Sequence, residues 1–225
     1  FDASTRVLSG TPTQADVGRH NINFVVSDLI GESDEQNFMV TVADVNDRPN
    51  LTSGGSVKIS ENVAAGTLFY SATATDLDND TLTFSLKGEN AEFFTIDAQT
   101  GEVRTNISPN FETKANYNLS VNVTDGLLDD EINLNIEILD VNDLPVFATT
   151  PNLEILEDSN FKYTFTASDD EDGFVTSYSA LKAPSWLNLE SLASSARLIG
   201  TPANDDVGTH DVTLTATDSA GAETQ

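Results

Sequence analysis

Apolar and polar residues alternate with period two in short runs along this chain, and the runs stop at glycine, proline, asparagine or aspartate. Ile132-Asn133-Leu134-Asn135-Ile136-Glu137-Ile138 is the clearest case. Successive side chains of an extended backbone point to opposite faces, so such a run predicts a strand with one face buried. Tyr117, Leu119, Val121 and Val123 alternate in the same way and are predicted to face a core. Further strands are expected over Val57–Ser60, Thr67–Thr75, Thr81–Leu86, Phe93–Ile96 and Glu102–Thr105, with Tyr117–Thr124 and Ile132–Leu139 closing the set. Turn signals separate them at Asn62 to Gly66, Asp97 to Gly101 and Asp125-Gly126. No stretch carries a helical period. Residues 49–144 therefore predict a complete all-β unit of seven short strands, the size of one β-sandwich.

The flanks read as parts of further units. Residues 1–48 hold a strand from Asn21 to Ser27 and another from Phe38 to Val42, the back half of a domain. Residues 145–225 hold the alternating run Phe161 to Ala167, the bulky Trp186-Leu187-Asn188-Leu189 and a strand from Thr209 to Thr217, but no closing strand, which leaves a sheet edge open. The two flanks are copies of each other. At an offset of 190, Leu8, Gly10, Thr11, Pro12, Asp16, Val17, Gly18 and His20 recur without a gap as Leu198, Gly200, Thr201, Pro202, Asp206, Val207, Gly208 and His210. Asp28 and Gly31 recur as Asp218 and Gly221. Such self-similarity marks a tandem array in which each unit touches mainly its neighbours.

The units meet at a repeated joint. Asp44-Val45-Asn46-Asp47-Arg48-Pro49 and Asp140-Val141-Asn142-Asp143-Leu144-Pro145 each follow a strand, 96 residues apart. The proline cannot donate to a ladder and keeps the residue before it extended. Each motif thus places three oxygen-bearing side chains on a short extended linker.

Charge sharpens this picture. The chain has 10 basic and 37 acidic residues, a net charge of −27, and no cysteine. A disulfide framework, a thiolate zinc site and a cysteine nucleophile are excluded. A nucleic-acid partner is excluded too, because phosphate binding needs lysine and arginine. No run of 18 apolar residues and no targeting segment occurs in this window, so no direct membrane contact is expected within it. A solvated acidic surface would scatter its acids, whereas here many cluster at strand ends at repeating offsets. Calcium takes about six to eight oxygen ligands, more than any one loop here supplies. Asp76-Leu77-Asp78-Asn79-Asp80 opens like an EF-hand loop, but Thr81 and Lys87 stand where that loop needs glycine and glutamate, and strands flank it.

Residues 49–144 resemble a cadherin repeat. Ser60-Glu61-Asn62, Asp76-Leu77-Asp78, Asn110-Phe111-Glu112, Asp125-Gly126 and Asp140 to Asp143 follow that family's acidic signposts in order, with Asn110 replacing its usual aspartate. The flanks resemble the dystroglycan-type cadherin-like variant of bacterial surface proteins, through Gly10 to Gly18, Gly200 to Gly208 and Ala183-Pro184-Ser185-Trp186-Leu187. The resemblance implies tandem seven-stranded Greek-key sandwiches of cadherin or immunoglobulin-like type, with incomplete terminal domains. It also implies calcium as the bound ion.

Carried over residue by residue, the second joint would draw on Glu61, Glu112, Asp140, Asn142 and Asp143, with Asp218 and an aspartate pair from the third unit. Alignment from upstream makes the pair Asp169 and Glu171; alignment from downstream makes it Asp170 and Asp172, which the Asp172-Gly173 turn favours. The first joint would draw on Asp44, Asn46, Asp47, Asp76, Asp78 and Asp125. Asp16 would stand in the place Glu112 holds, with turn capping as its plain alternative. Asn110 removes one charge, which predicts fewer or weaker ions at the second joint.

The expected function is a non-enzymatic, calcium-rigidified segment of an extracellular surface or secreted adhesion protein, such as a bacterial adhesin held at the membrane elsewhere. Its partners would be other cell-surface proteins or polysaccharide. The rival is a calcium-dependent carbohydrate-binding module. That requires an exposed aromatic platform, for which Phe69-Tyr70, Tyr178 and Trp186 are candidates that read mostly as core. A carboxylate-pair glycosidase is a third option, without a supporting nucleophile motif or histidine.

Overall fold

The computed structural model describes residues 1–148, 153–171, 173, 175 and 177–225. Every regular element in it is a strand, apart from three single 3-10 turns. Residues 1–48 form one long hairpin, in which β1 (Gly18–Ser27) pairs with β2 (Ser33–Val42) over ten residues from Gly18↔Val42 to Ser27↔Ser33. On one of its faces the Phe1, Phe24 and Phe38 rings meet at tilted angles with centroids 5.4 and 5.5 Å apart.

The middle segment carries β3 (Asn50–Leu51), β4 (Ser56–Ser60), β5 (Leu68–Ser71), β6 (Ala74–Thr75) and β7 (Thr83–Lys87). It continues with β8 (Phe94–Ile96), β9 (Glu102–Thr105), β10 (Asn116–Thr124) and β11 (Asp129–Leu139). One sheet has the order β4-β11-β10-β7 and another β5-β9-β8, with β3 and β6 as a short separate ladder. The alternating runs do what their period demands: Tyr117, Leu119, Val121 and Val123 are buried, as are Leu134 and Ile136. Tyr117 meets Phe93 and Phe94 edge-on at 5.3 Å. Asn122 is also buried, against the alternation. Its amide is satisfied by donating to Asp129 Oδ2 at 2.9 Å and the Asp130 carbonyl at 3.2 Å.

The strand expected over Thr67–Thr75 is two strands. β5 pairs with β9, whereas β6 pairs with β3, so the chain changes sheets at Ala72-Thr73. Gly101 makes that corner possible. It sits at φ +71°, and a Cβ there would lie 2.4 Å from the Ala72 carbonyl oxygen, which leaves room for glycine alone.

The third segment carries β12 (Val146–Phe147), β13 (Phe161–Phe165), β14 (Ala167–Ser168) and β15 (Ser177–Lys182). It ends with β16 (Leu187–Ser191), β17 (Ala196–Gly200), β18 (Thr213–Thr217) and β19 (Glu223–Thr224). Sheets β13-β17-β16 and β15-β18-β19 enclose Phe165, Val175, Tyr178, Leu187 and Leu198. The Tyr178 hydroxyl accepts from the Ala167 N–H at 2.8 Å inside that core. The strand expected from Thr209 begins only at Thr213. Residues 209–212 have no ladder partner, whereas their copies in β1 are paired with β2.

By contacts the chain falls into two compact units. One comprises Phe1–Lys58, Ala64–Ile107 and Tyr117–Glu137; the other comprises Ile59–Val63, Ser108–Asn116 and Ile138–Gln225. Gly101→Ala is expected to destabilise the first by about 1–3 kcal/mol, through both the positive φ and the collision with Ala72. A thermal melt indistinguishable from the unsubstituted chain would show that the corner tolerates a side chain.

Candidate metal centres

Each unit gathers carboxylates at one place. In the second, oxygens of Glu61, Glu112, Asp140 and Glu171 all lie within 4.8 Å of one another. Glu61 leads this group. Strand β4 ends at Ser60, and the Glu61 N–H still donates to Leu139 O at 3.0 Å, so its side chain turns inward at the strand end and is buried. There Oε1 accepts from the Val141 N–H at 2.7 Å and Oε2 from the Phe111 N–H at 2.8 Å. One carboxylate thus ties the linker to the loop that carries Glu112. Asn62, at φ +60°, donates from its amide to Asp143 Oδ1 at 2.6 Å. Asn110 uses its side-chain oxygen to cap the Thr113 N–H at 2.7 Å, a job that needs an acceptor but no charge.

The linker is held by its own polar groups. Asn142 donates to the Asp143 carbonyl at 2.7 Å and to Asp218 Oδ2 at 2.8 Å, while the Asp143 N–H donates to Glu171 Oε1 at 2.6 Å. Asp218 Oδ1 in turn accepts from the Ala222 N–H at 2.7 Å.

The first unit repeats this pattern atom for atom at the other linker. Asn46 donates to the Asp47 carbonyl and to Asp125 Oδ2, both at 3.0 Å. The Asp47 N–H donates to Asp78 Oδ2 at 2.6 Å, and Asp125 Oδ1 accepts from Leu127 and Leu128. Glu171 therefore stands where Asp78 stands, which makes Asp169 the counterpart of Asp76. This is the upstream alignment. Asp170 is exposed beside this pair, and Asp172 lies outside the described residues.

Asp76, Asp78 and Asp80 form the first unit's carboxylate group, within 4.8 Å of one another. Asp76 Oδ1 accepts from the Asp78 and Asp80 N–H groups and so folds the loop around itself. Asp44 lies at the linker start and accepts from the Val45 N–H at 3.1 Å. Asp16 is not brought into the group: its Oδ2 caps the Thr13 N–H at 2.8 Å and the Thr13 hydroxyl at 2.9 Å, as Asp206 caps Ala203. The residue that reaches the group from that turn is Gln14, whose amide donates to Asp78 Oδ1 at 2.7 Å. Glu112, beside Glu171, occupies the corresponding place at the other joint. His20 and His210 serve the same turns, each donating from Nε2 to the carbonyl of Asp16 or Asp206.

Crowded like charges shift the acids. Desolvation, then the Asp76 and Asp78 carboxylates, raise the Asp80 carboxyl. Desolvation and the Glu61 carboxylate raise Asp143, over a lowering bond from Asn62. The backbone N–H of Glu112 lowers its carboxyl, but desolvation with Glu61, Glu171 and Asp140 outweighs it and leaves it raised. Asp125 and Asp218 move the other way, held down first by the Leu128 N–H and by the Asn142 amide respectively.

A hard cation fits these donors. Asp76 Oδ2 and Glu171 Oε2 are buried without a hydrogen-bond partner, and both belong to the carboxylate groups. Every charged donor is an oxygen, the ligand set calcium prefers. Of the aromatic candidates for a sugar platform only Tyr178 is buried, and Phe69, Tyr70 and Trp186 are half-buried against neighbours. Phe69 packs on Phe94 at 5.3 Å, Tyr70 donates to the Gly54 carbonyl, and Trp186 stands edge-on to Phe161.

Sequence reasoning passed over Asp80 and Gln14. Asp80 was legible as part of the Asp76–Asp80 run, but the paired-aspartate motif stops at Asp78. Gln14 carried no acidic signal.

In metal-free buffer the raised acids make folding favour protonation. Their unfolded values lie lower, so stability is expected to rise as pH falls through the raised values of Asp80, Glu112 and Asp143 toward the ordinary carboxylate range. Asp125 and Asp218 oppose this only below the ordinary carboxylate range. Glu112→Gln is expected to raise the melting temperature at about pH 7.5 and flatten the profile; a profile unchanged by the substitution would contradict the repulsion at this site.

Residues 55–139 match the cadherin domain family, and residues 1–43 and 144–225 match the putative Ig domain family. Relatives include cadherin-related family member 2 of Mus musculus, 34% identical over 115 residues that make up 50% of this chain and 9% of that protein. Another is cadherin-23 of Mus musculus, 36% identical over 161 residues, 64% of this chain and 5% of that protein. The chain thus spans less than a tenth of the length of these relatives. Among solved structures, PcdhgB3 EC1-4 superposes with a TM-score of 0.60 at 22% identity, covering 97% of this chain and 58% of that one. Human protocadherin-24 EC1-2 gives 0.52 at 23%, covering 78% and 88%. At these identities the likeness shows the fold, tandem Greek-key β-sandwiches. The chain belongs to the putative Ig domain family over more than half its length, and its middle segment matches the cadherin domain family.

Proposed function

We propose that this chain is a calcium-rigidified segment of a larger surface or secreted adhesion protein, built as a cadherin domain between cadherin-like units that divide near residues 48 and 144. The observation that supports it most is a partnerless buried carboxylate oxygen beside each linker, Asp76 Oδ2 at one and Glu171 Oε2 at the other. A buried carboxylate oxygen without a donor is costly, and a cation beside each linker would offset that cost. Glu61, Glu112, Asp140, Asn142, Asp143, Glu171 and Asp218 would serve the joint at Asp140. Asp44, Asn46, Asp47, Asp76, Asp78, Asp80 and Asp125 would serve the joint at Asp44.

The mechanism is electrostatic. Without the ion, carboxylates on each linker and its flanking loops repel one another and the linker hinges. Bound calcium supplies the charge they share, so residues from loops far apart in sequence are pinned to one centre. An ion that binds only this ordered arrangement stabilises it by mass action, by about 2.7 kcal/mol when its concentration is 100 times its Kd. The kinship with cadherins supports the adhesive role, with another cell-surface protein as partner and an extracellular location.

Millimolar calcium is expected to raise the melting temperature over that in chelator and to lengthen the particle seen by small-angle scattering. Identical melts and scattering in both conditions would refute the proposal. The two joints are expected to differ, because Gln14 brings a neutral amide where Glu112 brings a carboxylate. Gln14→Glu should tighten calcium binding at the Asp44 joint by about tenfold, roughly 1.4 kcal/mol; weaker binding would show that the amide is itself part of a working site.

A further inference from the structure

The linker at Asp44 reaches the middle segment through a very short ladder. Pro49 is fully buried and fixes where the linker ends. β3 follows at once and pairs antiparallel with β6 over two residues, Asn50↔Thr75 and Leu51↔Ala74. Asp76 comes directly after β6, and just before Pro49 stands Asp47, whose N–H donates to Asp78 Oδ2. The ladder therefore sets the linker against the loop of Asp76, Asp78 and Asp80. β12 and β14 pair in the same way behind the other linker, Val146↔Ser168 and Phe147↔Ala167. So short a ladder gives little hold on its own.

Successive N–H groups along a strand point to opposite edges. Just past β3, the Thr52 N–H donates toward the β6 side, to the Thr73 carbonyl at 2.8 Å. Leu51 therefore turns its N–H the other way, to the edge where a further strand would stand. There it donates to Asp130 Oδ2 at 2.8 Å. Asp130 belongs to β11, in the β4-β11-β10-β7 sheet. It is held from behind, because its carbonyl accepts from the amide of buried Asn122 in β10 at 3.2 Å. One carboxylate thus fastens the ladder that carries the linker to the main sheet. Its partner is a single neutral N–H, so that place needs an acceptor oxygen rather than a charge.

We infer that Asp130 is a positioning residue for the Asp44 joint. It is not one of the candidate ligands; it acts through Leu51. By fastening the second edge of β3 it keeps Asp47 against Asp78 and holds the linker oxygens beside the carboxylate loop. Without that bond the ladder opens more often, and an ion meets the assembled joint only in the molecules where the ladder is closed. Apparent affinity then falls in proportion to the closed fraction. The consequence for the ion rests on the calcium reading, whereas the clamp exists without it.

The full chain in chelator gives the first test. Hydrogen exchange is expected to find the Leu51 amide protected in the unsubstituted chain. Asp130→Ala should speed exchange at Leu51 and Asp47 at least about tenfold, while the Val121 and Val123 amides of β10 keep their protection. Asp130→Asn, which retains an acceptor oxygen, should restore most of what alanine loses. Calcium titration reads the consequence. In a Glu61→Gln background, where the Asp44 joint binds alone, Asp130→Ala should weaken calcium about tenfold and Asp130→Asn should recover it. In an Asp76→Asn background, where the Asp140 joint binds alone, neither should change the affinity. A Leu51 amide that exchanges freely in the unsubstituted chain overturns the inference without any variant. So does exchange or affinity that Asp130→Ala leaves unchanged, an equal loss at both joints, or an asparagine variant as impaired as the alanine one. An unsubstituted chain that binds no calcium would instead overturn the calcium reading, and exchange at Leu51 would still decide the clamp.

Discussion

Repulsion among carboxylates at the ends of strands is the constraint on which the rest of this molecule depends. Desolvation first, and then the neighbouring carboxylates, raise Asp80, Glu112 and Asp143. The acids around them are nevertheless held in register by backbone N–H groups. Glu61 receives two, from Val141 and Phe111; Asp76 receives two, from Asp78 and Asp80; Asp125 receives two, from Leu127 and Leu128. The linker and the loops at the strand ends supply those donors. The fold therefore builds a site whose unsatisfied demand is positive charge, and the buried oxygens of Asp76 and Glu171 mark where that demand is greatest.

The two joints are variations on one frame. Asn46 and Asn142 make the same pair of hydrogen bonds, and Asp47 and Asp143 donate their N–H groups to acids of different length, Asp78 and Glu171. The frame tolerates that exchange because the contact is a single N–H to a single carboxylate oxygen. Differences accumulate in what surrounds it: Glu61 and Glu112 at one joint, Gln14 and Asp80 at the other. A chain that reuses one linker can thus tune each joint by a few side chains.

Much of this was legible in the sequence where geometry follows from period and spacing. The alternation of Tyr117, Leu119, Val121 and Val123 predicts their burial, and the repeated Asp-Val-Asn-Asp motif marks both joints. What escaped depends on partners that no local pattern names. Thr67–Thr75 divides into two strands because Gly101 lets the backbone approach Ala72. Residues 209–212 read as strand but lack the ladder that their copies in β1 enjoy. Downstream alignment favoured Asp170 and Asp172, whereas the Asp143 N–H selects Glu171, since only a hydrogen bond across the fold distinguishes neighbouring acids in an acidic run. Gln14 was invisible because an amide in a turn carries no charge signal, and Asp16 drew attention with its charge while capping its own turn.

The central claim is that oxygen clusters at the two linkers are separate calcium sites. Calorimetric titration of calcium into the decalcified chain tests it most directly when repeated with Glu61→Gln and with Asp76→Asn. The account predicts saturable binding in which Glu61→Gln removes the ions of the Asp140 joint and leaves those of the Asp44 joint, while Asp76→Asn does the reverse. Absence of saturable binding, or a titration that neither substitution alters, would contradict it.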